Sequence, residues 1–132
     1  GLRLYKTKAG YRAAITHTVF EPGSNDANQL LERLGSDKLY VQLCERQSCF
    51  RARLTPKPWR IKMSSPPTRF PFKTPNHQQW FEGWGADYEK ASKDYCICTF
   101  IGEFGNPQVA ENVELVLKVH DLYCCGDSPR LA

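Results

Sequence analysis

Several absences narrow what this chain can be. No Gly-X-Y period and no heptad repeat accompanies its nine Gly and nine Pro, which excludes fibrous classes. Charge-free stretches are broken by proline and polar residues, so no membrane span is available. No basic-then-apolar leader opens the sequence and no internal repeat divides it, so neither an export signal nor a second domain is expected. What remains is ordinary globular composition, 41% hydrophobic and 24% charged over 132 residues, enough for one core. The expectation is a single α+β domain over residues 1–125 with a loose C-terminal tail at 126–132.

The second absence is of negative charge. Between Arg46 and Phe81 there is no acidic residue, while Arg46, Arg51, Arg53, Lys57, Arg60, Lys62, Arg69 and Lys73 fall inside. That window carries +8 in a chain whose net charge is +4, leaving the remainder at −4. A single-sign segment builds a field that draws in anions, and nucleic acid, a nucleotide or an acidic protein are the natural partners. The competing reading is a solubilising basic loop, or one that pairs with the acidic remainder.

Tight C-x2-C knuckles are also missing. The six cysteines, Cys44, Cys49, Cys96, Cys98, Cys124 and Cys125, lie mostly on apolar helix and strand faces, where a free thiol behaves as a small hydrophobe. Three disulfides would allow 15 pairings, and zinc would want four S or N ligands. Core thiols in a reducing, cytoplasmic setting are the expectation, with no metal and no cofactor.

Leu2–Thr7 and Tyr11–Val19 read as a hairpin across Ala9-Gly10, with Ala13 and Ile15 on one face and Arg12 on the other. Asp26 and Ser36 are candidate caps for two helices joined at Gly35. Cys49–Leu54 alternates with period two and reads as a third strand, stopped by Pro56 and Pro58. A long proline-bearing loop follows, over Lys62–Thr74. Thr74-Pro75 opens a helix with Trp80, Phe81, Trp84 and Tyr88 on one face. Tyr95–Ile101 reads as the fourth strand. The helix opening at Asn106-Pro107 is apolar nearly all round and is expected to be buried. The predicted order is β-β-α-α-β-α-β-α, a mostly antiparallel four-stranded sheet with helices packed on one face.

On such a sheet Arg51 and Arg53 stand side by side on the open face. Their Cβ atoms lie roughly 6.5–7 Å apart, near the spacing of successive phosphates. Arg46, Lys57, Arg60 and Lys62 extend the patch, Trp59 is placed to stack on a base, and Arg12 joins from the hairpin. The alternative pairs these arginines with Glu32, Glu45 or Asp37 and puts Trp59 in the core. His17, His77 and His120 sit in separate elements and no nucleophile elbow is present, so no catalytic residue is assigned.

The hairpin phrase Lys6-Thr7-Lys8-Ala9-Gly10-Tyr11-Arg12 resembles the second motif of the archaeo-eukaryotic primase-polymerase superfamily. In that family a small-residue turn precedes a His or Arg that contacts nucleotide phosphate, on an RRM-like sheet backed by helices. The resemblance implies this fold here, with Arg12 at the phosphate-contacting position. Phe50 to Arg60 is also similar to stretches of uncharacterised bacterial proteins that carry such hairpins. The family places an Asp-x-Asp metal pair on a strand before the hairpin, whereas five residues precede Lys6 here. Asp121, after an apolar run that reads as helix, stands where the last acidic motif would. The resemblance therefore implies a fragment or a non-catalytic relative, and polymerase activity is not carried over.

The resulting expectation is a nucleic-acid- or nucleotide-binding domain that uses a basic strand and loop. An interaction module for an acidic protein is one alternative, and an enzyme acting on an anionic small molecule is the other.

Overall fold

A computed structural model of the chain describes residues 1–126 and 128–132, so residue 127 of the expected tail lies outside the described residues. Extended, β-branched and aromatic sequence at the start forms strands β1 (Leu2–Thr7) and β2 (Gly10–Ile15), paired antiparallel across Lys8-Ala9. Their register runs unbroken from Leu2 opposite Ile15 to Thr7 opposite Gly10. The third strand, β3 (Cys98–Phe104), pairs antiparallel with the other edge of β1, with an irregularity between Leu4 and Tyr5. The sheet order is β2-β1-β3.

The expected four-stranded, RRM-like sheet is thus corrected to three strands. The element that fails is Cys49–Leu54, which joins no ladder. Its apolar alternation is real, but strand pairing needs a free neighbour. Here the segment leaves helix α2 through Ser48 at φ 46° and passes beside Arg12 and Cys124. The Arg53 carbonyl accepts from the Arg12 guanidinium at 3.1 Å, with Cys124 Sγ 3.5 Å away, so a side chain takes the place of a ladder bond.

Four helices complete the fold: α1 (Asn25–Arg33), α2 (Lys38–Arg46), α3 (Pro75–Ser92) and α4 (Glu111–Cys124), with a 3₁₀ turn at Pro58–Ile61. The caps fall one or two residues from their expected places. Ser24, not Asp26, accepts from the Ala27 amide, and Asp37, not Ser36, accepts from the Tyr40 amide. Gly35, at φ 64°, follows α1 in a left-handed turn. Its amide bonds the Glu32 carbonyl and the Ser36 amide bonds that of Leu31, which together end the helix. Thr74 and Pro75 open α3 as the sequence predicts. Its aromatic face lies on the proline-bearing segment, with Tyr88 donating to the Pro56 carbonyl and the Trp84 indole to that of Ser64.

The hairpin face is the reverse of the expected one. Tyr5, fully buried, lies opposite Arg12 in the register, and Arg12 and Ala14 turn inward while Ala13 is exposed. Tyr5, Ile97, Cys98 and Cys124 form the central cluster, joined by Ala14, Leu54 and Cys125. Helix α4 begins at Glu111, later than expected, and only Leu117, His120 and Cys124 of it are buried. Its outer face, with Leu115, Val116, Leu122 and Tyr123 each more than 60% exposed, corrects the expectation of all-round burial. The accessible surface is 9719 Å². A compact monomer of 15.1 kDa would expose about 7,100 Å². Beyond α4, the Cys96 amide donates to the Arg130 carbonyl and the Ala132 amide to that of Cys96, which holds residues 130–132 against the core. No helix among the described residues is long and apolar enough to cross a membrane.

Candidate functional site

Two groupings of chemically capable side chains emerge. The first lies at the hairpin turn, where the strand pairing carries Lys6 and Lys8 to the end of the sheet. The 3₁₀ turn at Pro58–Ile61 brings Arg60 and Lys62 to the same place, with Lys62 held at φ 61° just past the turn. Together with Arg130 these residues line a hollow of about 570 Å³, completed by Thr7, Tyr95, Pro129 and Leu131. Five cationic side chains and no carboxylate are among its described lining residues. Crowding like charges costs free energy unless anions are drawn in, so the hollow is electrostatically suited to phosphate or carboxylate groups.

The second grouping is buried between the sheet and α4. Asp121 is its anchor. Its Oδ1 accepts from the Tyr5 hydroxyl at 2.8 Å and from His120 Nδ1 at 2.8 Å, and its Oδ2 pairs with Arg3 at 3.0 Å. Burial by itself would raise the Asp121 pKa, but the hydrogen bonds from His120 and Tyr5 and the Arg3 charge outweigh it and hold the carboxyl below its usual range. With Nδ1 committed to Asp121, His120 Nε2 accepts from Arg12 at 2.7 Å. The same Arg12 nitrogen lies 3.4 Å from Cys124 Sγ. Cys98 Sγ stands 3.9 Å from His120 Nε2 and 3.8 Å from Cys125 Sγ.

These contacts divide the thiols. The contact with Cys98, then those with His120 and Arg12, lower the Cys124 pKa to about 4 against the opposing effect of burial. Sharing that proton pushes the Cys98 thiol up, and burial adds to the rise. The Cys124 contact and that with Asp121 raise the His120 pKa against desolvation. A thiolate beside a His–Asp pair has the makings of a nucleophile. Cys124 is 1% exposed, which keeps its sulfur away from the surface.

The predicted site residues scatter between these places. Arg60 and Lys62 reach the basic hollow. Arg12 goes to the buried row. Arg51 and Arg53 are exposed and form no ion pair among the described residues, but they share no strand face. Arg51 bonds Cys49 Sγ instead. Arg46 is exposed in the last turn of α2. Lys57 sits 5.1 Å from the Trp59 ring centroid, and Trp59 itself is 65% exposed rather than in the core. Sequence reasoning missed Lys6, Lys8 and Arg130 as hollow residues, and His120, Cys98 and Cys125 as one cluster. The i,i+4 spacing of His120 and Cys124 is legible in the sequence but points to neither Cys98 nor Cys125. The chain matches no family model, no curated protein and no solved structure.

Proposed function

We propose that the chain binds nucleic acid or a nucleotide through phosphate groups seated in the hollow of Lys6, Lys8, Arg60, Lys62 and Arg130. One observation carries this reading: five cations share a cavity of about 570 Å³ with no described carboxylate to neutralise them. Lys and Arg supply the donors that phosphate oxygens need, and half-buried Tyr95 in the wall offers a ring for a base to stack on. Exposed Trp59, beside Lys57, extends the stacking surface along the loop. The Lys6–Arg12 hairpin that resembles the primase-polymerase motif supplies two of the cations. In this reading the phosphate contact falls on Lys6 and Lys8, because Arg12 is engaged by His120, Cys124 and the Arg53 carbonyl.

Fluorescence anisotropy with a labelled single-stranded oligonucleotide tests the proposal, with nucleoside triphosphate and an acidic peptide as competitors. Binding that weakens with salt, and weakens further in Arg60→Ala/Lys62→Ala than in Arg51→Ala/Arg53→Ala, supports it. Absence of oligonucleotide and nucleotide binding at low salt overturns it, and capture of the acidic peptide alone points to an acidic protein partner.

A further inference from the structure

We propose that Cys98, His120 and Cys125 form a binding site for a borderline-soft divalent cation of the Zn²⁺ type, independent of the phosphate-binding reading. The three ligand atoms, Sγ, Nε2 and Sγ, lie within 4.8 Å of one another. Zinc–thiolate bonds of about 2.3 Å in tetrahedral array set two sulfurs about 3.8 Å apart. Cys98 and Cys125 stand at 3.8 Å, both as free thiols. The Cys98–His120 edge, at 3.9 Å, is about 0.3 Å longer than the roughly 3.6 Å set by a zinc–imidazole bond of about 2.0–2.1 Å. Closing the remaining edge takes a turn of the Cys125 side chain, which is half-buried just past the end of α4.

The surroundings of the imidazole point the same way. A histidine ligand needs its other ring nitrogen held, usually by a carboxylate, so that its tautomer and orientation are set. Asp121 holds Nδ1 at 2.8 Å and is itself fixed by Tyr5 and Arg3. That leaves Nε2 as the nitrogen available to a metal, 3.9 Å from Cys98 Sγ. In the structure Arg12 occupies the Nε2 lone pair. It has two other acceptors, Cys124 Sγ and the Arg53 carbonyl, so an entering cation displaces one of its bonds and leaves the others.

Charge closes as well. Loading exchanges two thiol protons, from Cys98 and Cys125, for one divalent cation, with no oxidant or reductant involved. Asp121 stays paired with Arg3 at 3.0 Å. A water supplies the fourth ligand.

The test uses the full chain, kept reduced, stripped with a chelator and titrated with Co²⁺ as a spectroscopic probe. The expected result is one equivalent bound, with the thiolate charge-transfer and d–d bands of a tetrahedral site, displaced by Zn²⁺. Cys98 is fully buried and its substitution is liable to unfold the chain, so half-buried Cys125 carries the variant. Cys125→Ser is expected to weaken uptake at least tenfold, whereas Cys49→Ser leaves it unchanged. In the unsubstituted chain Zn²⁺ is expected to slow maleimide modification of Cys125 at least tenfold without protecting Cys49. Absence of the tetrahedral bands, equal uptake by Cys125→Ser, or unprotected Cys125 overturns the proposal.

Discussion

Asp121→Asn is the sharpest test of how the buried row is held together. The carboxylate takes four donors, the Tyr5 hydroxyl, His120 Nδ1 and, at 3.9 Å, the Cys125 thiol on one oxygen and Arg3 on the other. An asparagine can keep its oxygen toward Tyr5 and His120, but its NH₂ then faces the Arg3 guanidinium, donor against donor. Hydrogen bonds to a charged group contribute about 1.5–3 kcal/mol each, and leaving a donor unmet costs a similar amount. Because the Asp121 side chain is 29% exposed, water softens the loss, and the lower half of that range, about 1.5–2 kcal/mol in total, is expected. With a urea slope of about 1–3 kcal/mol per molar, the unfolding midpoint falls by roughly 0.5–2 M.

The pH dependence has a definite sign. The folded pKa of Asp121 is depressed, so its stabilisation is complete above the ordinary aspartate value of about 3.9 and is lost as pH falls through the lower folded value. The gap between the two proteins should therefore be full at about pH 8 and narrower at about pH 3, below the ordinary aspartate value. Urea titrations followed by far-ultraviolet circular dichroism at both values read it directly. A gap below about 0.5 kcal/mol at the higher pH, or one that persists undiminished in acid, would refute the account.

Other consequences separate buried from exposed positions. Leu117→Ala, at 5% exposure, should cost about 2–5 kcal/mol. Leu122→Ala, at 75% exposure on the same helix, should stay within about 0.5 kcal/mol, both read from thermal or urea unfolding. Ser24→Ala should lose about 1 kcal/mol and Asp26→Ala markedly less, since only Ser24 caps α1. Each phosphate engaged on a single strand contributes about −0.7 to the slope of log affinity against log salt, so Lys62→Ala should make that slope shallower by about 0.7 in anisotropy titrations.

The legible parts of the fold were the local ones. The β1–β2 hairpin, the Thr74-Pro75 start of α3 and the Gly35 turn each depend on residues within a few positions of one another. Cys49–Leu54 alternates as a strand does, but alternation specifies faces and not a partner, and here the Arg53 carbonyl accepts from Arg12 instead of a ladder amide. The apolar run of α4 likewise says that burial is favourable without saying how much of the helix the sheet can cover. Of the candidate site, Arg60 and Lys62 were readable from the acid-free window, whereas Lys6, Lys8 and Arg130 needed the two ends of the chain to meet at one hollow.

By itself, then, the amino-acid order determined the charge asymmetry, the helix and hairpin segments, and the absence of a membrane-spanning helix, because these follow from neighbouring residues and backbone chemistry. Tertiary structure alone decided that Arg12 turns inward to His120, 108 positions away, and that Cys98 and Cys125 come within 3.8 Å. Contacts between distant segments arise only when sheet register and helix docking are set together, and no local pattern encodes that combination.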